Sequence, residues 1–297
     1  MANLKSARSG TPGSATHIHL YAQCWNDEFM LPFFFRHYDP IVDRYIIYDD
    51  GSTDASLQIL ANHPRTEVRS FPRSNPESFV LSEQSFSNQC WKESRGEADW
   101  VIVTDIDEHL FHIGFRRYLS DASREGVTLV PALGFQMIAD ELPAGHEQLS
   151  RSYQFGAPWG RMLKASIFDP VAITEINFGL GRHWAEPSGE VWAPPTDEVL
   201  LLHYKYLNVR RTYARHQELL HRLGPGDLAG GFGHKYGWSL PQLESDWDNV
   251  RRNAVDYREF VGAQPSAYPI ERWWERFRTQ HRRTGPVPVT APRPRIV

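Results

Sequence analysis

The sequence predicts an α/β fold in which a mostly parallel sheet is flanked by helices and followed by a helical C-terminal extension. Three observations carry that expectation. Between Ile18 and Asp107, short apolar runs of strand length alternate with helix-length segments, the rhythm of a parallel sheet covered on both faces. Polar, acid-bearing loops follow three of those runs. One run, Val101-Ile102-Val103-Thr104, ends in Asp105-Ile106-Asp107-Glu108. Side chains two residues apart on a strand share a face, so Asp105 and Asp107 can converge on one ligand. In open α/β sheets the carboxyl ends of the strands form one edge, where ligands bind.

The elements follow in order. Residues 17–22 read as a first strand, 25–28 as a polar turn and 31–38 as a helix, with Pro32 in the first turn, where a missing N–H costs nothing. A second strand, 44–48, runs into Asp49-Asp50-Gly51-Ser52-Thr53-Asp54, which combines turn chemistry with an N-cap for a helix over 55–62. Residues 68–71 form a short strand and 83–94 a helix, before the Asp105 strand. Beyond it come a helix over 115–123, a strand over 128–133, a turn at Gly134-Phe135, and strands over 161–168 and 199–203. The last ends in His203-Tyr204-Lys205. Residues 209–223 have helical periodicity, 224–237 are rich in glycine and suit a mobile or ligand-shaped loop, and 240–260 and 270–281 read as helical. The expected organisation is a flexible tail at 1–16, a main domain at 17–223, a glycine-rich loop and helical subdomain at 224–283, and a proline-rich disordered tail at 284–297.

Composition narrows the function. A formal net charge of -4 lacks the basic field of a nucleic-acid binder. Apolar runs are too short to span a bilayer, and the N-terminus lacks the apolar core of a signal peptide, so a cytoplasmic location is expected. Cys24 and Cys90 are too few for a disulfide scaffold. Many of the 10 Trp and 12 Tyr cluster late in the chain, where they serve as core filler or as platforms for sugar rings.

The ordered set Asn26-Asp27-Glu28, Asp49 to Asp54, Gln84 with Asn88, Asp105-Ile106-Asp107-Glu108 and His203-Tyr204-Lys205 resembles glycosyltransferase family 2, in its branch with D-x-D-E and HYK-type motifs. The resemblance covers residues 18–223. It implies a GT-A fold, a Mn²⁺ or Mg²⁺ ion, a nucleotide-sugar donor (a UDP-sugar favoured) and a glycan or other hydroxyl acceptor, with inversion at the anomeric centre. By the same resemblance, the metal residues are Asp105, Asp107 and His203: Asp107 is the direct ligand, Asp105 reaches the ribose or a metal-bound water, and His203 is the third ligand. Asp50, or its neighbour Asp49, accepts the N–H of the base. Asn26 to Glu28 line the donor pocket and Asn88 faces the donor. Lys205, Arg161 and Lys164 neutralise the diphosphate, and His183 belongs to the site or braces its loop. The catalytic base is expected at Asp140-Glu141, with Glu175 and Glu186 as alternatives.

Rival readings differ in detail. A haloacid-dehalogenase-like phosphatase also has an apolar strand running into DxD, but calls for Thr or Val shortly after the second Asp, where this chain has Glu108-His109. A nucleotidyltransferase requires a basic, glycine-rich loop after strand one, and Asn26-Asp27-Glu28 is acidic. A carbohydrate-binding scaffold that kept the fold without activity is the non-catalytic alternative.

Overall fold

The computed structural model describes residues 16–262 and 267–278. The N-terminal half alternates β1 (Ile18–Cys24), α1 (Leu31–Tyr38), β2 (Arg44–Asp49), α2 (Ser56–Ala61), β3 (Thr66–Ser70), α3 (Phe79–Gln89) and β4 (Trp100–Asp105). It continues through β5 (Glu108–Phe111), α4 (Phe115–Arg124), β6 (Leu129–Ala139), α5 (Leu149–Ser152), β7 (Phe155–Pro158), β8 (Lys164–Phe168), β9 (Ile173–Glu175) and β10 (Ser188–Gly189). Then come β11 (Val199–Leu207), α6 (Val209–Arg222), α7 (Pro225–Ala229), α8 (Leu240–Arg252) and β12 (Val255–Asp256).

The α/β class expected from the sequence is the one observed. Ten strands form one sheet in the order β12-β7-β6-β8-β4-β1-β2-β3, with β11 joined to β6 and β5. Strands β3, β2, β1 and β4 are mutually parallel, and β6 pairs in parallel with β11. β8 runs antiparallel between β4 and β6, which therefore point the same way. Trp100 to Thr104 are buried to within 1% of full enclosure, as an interior strand covered on both faces must be. The carboxyl ends of β1, β2, β4, β6 and β11 thus share one edge.

Several boundaries move for local reasons. The helix expected at 83–94 starts at Phe79, because the Ser78 hydroxyl accepts from the Leu81 N–H, and it ends at Gln89 before a tight turn over Cys90–Ser94. The turn expected at Gly134-Phe135 is the interior of β6. Gly134 is needed there for proximity, since a Cβ on it would lie 2.3 Å from Met162. Gly160–Met162 is a helical turn, so that strand begins at Lys164. The glycine-rich stretch contains α7 and a turn over His234–Gly237. The helix expected to reach residue 260 stops at Arg252, and Val255–Asp256 adds an edge strand to β7. The piece expected at 270–281 holds a turn over Glu275–Phe277, and its residues beyond 278 lie outside the described ones, as do both terminal tails apart from Thr16.

The C-terminal part packs in two ways. Leu243 and Trp247 of α8 form a satellite cluster with Ile138 and Tyr206. Tyr257, Tyr268 and Trp274 instead join the main core, and Asp197 accepts hydrogen bonds from Trp274 Nε1 at 2.8 Å and Arg278 at 2.7 Å. Among the described residues no helix is long and apolar enough to cross a membrane.

Candidate active site

The carboxyl edge of the sheet opens into a cleft of about 340 Å³, floored by β4 and β11 and roofed by α6 and the glycine-rich stretch. Its chemistry divides into a buried charge hub, an open metal-type corner and a set of cations.

In the hub, Glu108 is fully buried and accepts from Lys164 Nζ and from Arg182 Nη2, the latter at 3.1 Å. Arg182 also reaches Asp105 Oδ1 at 2.7 Å and Glu83 at 3.5 Å, and donates to the Val103 carbonyl at 2.6 Å. Burial by itself would raise the Glu108 carboxyl, yet Lys164 and Arg182 outweigh it and hold the group well below the carboxylate range. Glu83, half-buried and less completely paired, is pushed up by desolvation. Arg182 and Gly181 both adopt left-handed backbone, at φ 56 and φ 61, conformations that a residue with a Cβ holds only when its surroundings enforce them. Asn88 supplies part of that enforcement: its Oδ1 accepts from the Phe178 N–H at 2.7 Å, pinning the segment that carries Arg182.

At the open corner, Asp107 Oδ2 lies 3.5 Å from His203 Nε2. Burial raises the Asp107 carboxyl, but His203 and then Lys205 reverse the shift and leave it well below its ordinary value. The cations stand beside this corner. Lys205 Nζ donates to the Tyr236 hydroxyl at 3.0 Å, and Arg211 stacks 3.6 Å over the Phe29 ring. Among the described residues neither is within ion-pair distance of a carboxylate, whereas Arg215 binds Asp27 at 2.9 Å and Lys235 binds Asp246 at 3.1 Å. Burial, then crowding by Arg215, lowers the Arg211 pKa to about 10. Gln23 Nε2 and His216 Nδ1, both on the cleft wall, are buried polar atoms without a hydrogen-bond partner among the described residues. Such orphans are rare, and in a cleft they point to a ligand.

Asp105, Asp107, Lys164, Lys205, Arg161, His183 and His203 all line this one cleft. Their roles differ from the expectation. Lys164 is committed to Glu108, and Asp105 turns to Arg182, so the expected metal trio does not converge: among the described residues no three His, Cys, Asp or Glu side chains are grouped to hold an ion. His183 braces its loop, with Nδ1 2.6 Å from the Arg161 carbonyl, and burial brings its pKa down to about 3.

Other expected residues do not line the cleft. Asn26 accepts from the Thr53 N–H at 2.7 Å and Glu28 from the Ala55 N–H at 2.8 Å, which staples one loop to the other and leaves Asp27 as the residue facing in. Asp49 closes its own turn through the N–H groups of Gly51 and Ser52. Both oxygens of Asp50 are taken by Arg73 and Arg222, and Arg222 lies 3.7 Å over Phe79. Asp140 and Glu141 are exposed beyond the end of β6, and Asp140 pairs with Arg251. Without a turn at Gly134, the chain carries this pair past the rim. Glu175 binds Lys92 at 2.7 Å, and Glu186 is exposed.

Missed by sequence reasoning were Glu83, Arg182 and Glu108 as one hub, Gln23 and Gln136 on the cleft wall, and the arginines of α6. Arg182 stands beside the already suspicious His183, and Arg211, Arg215 and Arg222 recur at helical spacing along a segment noted as basic. Gln23 and Gln136 carry no sequence signal.

No family model matches the chain, and no curated protein matches it. Among solved structures, S. aureus TarS matches at 13% identity and a TM-score of 0.34, over 53% of this chain and 29% of that one. TarS 1-349 matches at 12% identity and 0.33, over 68% and 64%. Glucosyl-3-phosphoglycerate synthase from Mycobacterium tuberculosis, in complex with Mn²⁺, UDP and glucosyl-3-phosphoglycerate, matches at 22% identity and 0.28, over 40% and 44%. The aligned part is in each case less than two thirds of the matched chain.

Proposed function

We propose that this protein is a metal-dependent inverting glycosyltransferase that moves a sugar from a nucleotide-diphosphate donor, a UDP-sugar in preference, to a hydroxyl of a glycan or other acceptor. The observation that carries the reading is the Asp107–His203 corner, one carboxylate and one imidazole nitrogen facing each other at 3.5 Å beside Lys205 and Arg211, which among the described residues have no carboxylate at ion-pair distance. Two protein ligands suit Mg²⁺ or Mn²⁺, which complete their shells with phosphate oxygens and water. When bound, such an ion supplies charge for a departing diphosphate.

The chain's own residues do the rest. Lys205 and Arg211 hold the diphosphate and stabilise the negative charge that grows as the glycosidic bond breaks. Gln23 and His216 offer hydrogen bonds to the polar parts of the substrates. Asp140 and Glu141, exposed past the rim of the cleft, do not serve as the base. Among cleft-lining carboxylates, Asp27 and Glu83 are both pushed up by burial, the direction that suits a base working near neutrality. The reading is tested by transfer assays with UDP-, GDP- and dTDP-sugars, with and without Mn²⁺. Metal-dependent turnover that disappears in Asp107→Asn supports it; a folded protein inert towards all three donors with metal present returns the chain to the scaffold class.

A further inference from the structure

The neighbour of the open corner is Gln136. β6 and β11 run in parallel register with Gln136 opposite His203. The Gln136 side chain is buried, and its Nε2 donates to the carbonyl oxygens of Met137 at 3.0 Å and of His203 at 3.2 Å. Carbonyl oxygens only accept, so the nitrogen end of the amide is fixed there and Oε1 is the atom that faces His203 Nδ1, at 2.7 Å. An amide oxygen also only accepts. Nδ1 therefore carries a hydrogen, which leaves Nε2, 3.5 Å from Asp107 Oδ2, as the ring nitrogen available to a cation. With its hydrogen on Nδ1, the ring presents Nε2 and Asp107 Oδ2 as two acceptors that a shared cation can join. Neighbouring ligands of an ion with bonds near 2.1 Å stand roughly 3 Å apart, which the pair approaches without rearrangement.

We infer that Gln136 is a positioning residue: it locks His203 in the Nδ1–H tautomer and so makes Nε2 the nitrogen that binds a divalent cation together with Asp107. The inference rests on the transferase reading only in needing a divalent cation at this corner. An outer partner of this kind typically accounts for 10–100-fold in metal affinity.

The test uses the full chain labelled with ¹⁵N-histidine at pH 8. Long-range ¹H–¹⁵N correlation of the metal-free protein reads the His203 tautomer, and calorimetric titration with Mn²⁺ alone reads affinity. Expected are an Nδ1–H ring in the wild type, and in Gln136→Met an Nε2–H ring turned to Asp107 with Mn²⁺ binding weakened about 10–100-fold. The wild-type spectrum tests the idea even if a variant fails to fold, because an Nε2–H ring there overturns it. Wild-type Mn²⁺ affinity in Gln136→Met overturns it as well. His203→Ala separates the two levels: if it weakens Mn²⁺ and Gln136→Met does not, the positioning role alone falls, and if it has no effect either, the metal corner falls with it.

Discussion

Asp107 and Glu108 are adjacent in the chain and lead opposite lives. Glu108 is sealed in the hub, with Lys164 and Arg182 on its two oxygens. Asp107 is partly open to the cleft and faces a single histidine nitrogen at 3.5 Å. What marks a functional carboxylate here is unfinished pairing, since a buried acid with all its partners in place has nothing left to offer a ligand. Removing each group should separate the two. Glu108→Ala takes from buried Lys164 its close carboxylate and from buried Arg182 one of its three, and is expected to lower the unfolding free energy by about 3–5 kcal/mol, read by urea denaturation. Asp107→Asn is expected to change folding by less than about 1 kcal/mol while transfer falls at least about 100-fold, roughly 2.7 kcal/mol in the barrier. Equal losses of stability in the two variants would erase the distinction.

The histidines repeat the contrast on a smaller scale. His37 and His109 are buried and stacked 4.5 Å apart in the core, with His37 Nε2 on the Leu110 carbonyl at 2.8 Å, whereas His203 faces the cleft. Burial lowers the His37 pKa to about 4, from 6.5 in the unfolded chain. Below 6.5 the unfolded state takes up a proton that the folded state refuses until pH falls near 4, so this contribution is intact above pH 6.5 and is lost on acidification through that window. The loss approaches about 3 kcal/mol, at 1.36 kcal/mol for each unit between the two pKa values. Unfolding free energies at pH 7.5 and pH 4.5 measure it. His37→Gln, which keeps a donor for Leu110, is expected to flatten the slope; an unchanged slope would move the acid sensitivity to other groups.

The same contrast explains which parts of the molecule were legible in the sequence. Strands β1, β2 and β4 were readable because an interior parallel strand is a continuous apolar run, and their polar ends were readable because nothing apolar belongs at a ligand edge. The long β6 was cut short because Gly134 looks like a turn, although what it provides is room for Met162. Asp105, Asp107 and His203 stood out as acids and a histidine ending strands. Their division of labour did not, because it depends on Arg182, which arrives from a left-handed turn far along the chain. Asp50 shows the limit most plainly: its loop suggested a base-binding carboxylate, and only the fold shows Arg73 and Arg222 on both of its oxygens.

Pairing should sort the cleft's lysines as it sorts its acids. Lys205 and Lys235 lie on the same wall, each near Tyr236 or its neighbours, and each is held against an aromatic ring: Lys205 at 4.7 Å from Tyr236 and Lys235 at 4.8 Å from Trp238. Lys235 already has Asp246 at 3.1 Å, while among the described residues Lys205 has no carboxylate at ion-pair distance and donates to the Tyr236 hydroxyl at 3.0 Å. For Lys205, burial alone would lower the pKa, but Tyr236 and Asp107 more than offset it, so the ammonium stays charged at neutral pH. Lys205→Met is therefore expected to weaken binding of UDP with Mn²⁺ about tenfold, equivalent to about 1.4 kcal/mol. Lys235→Met, which removes a charge that its carboxylate already neutralises, should stay within about twofold of wild type by the same scale. Calorimetric titration of both variants decides the matter, because equal losses would mean that the cleft senses only its total charge and that the state of each pair is irrelevant.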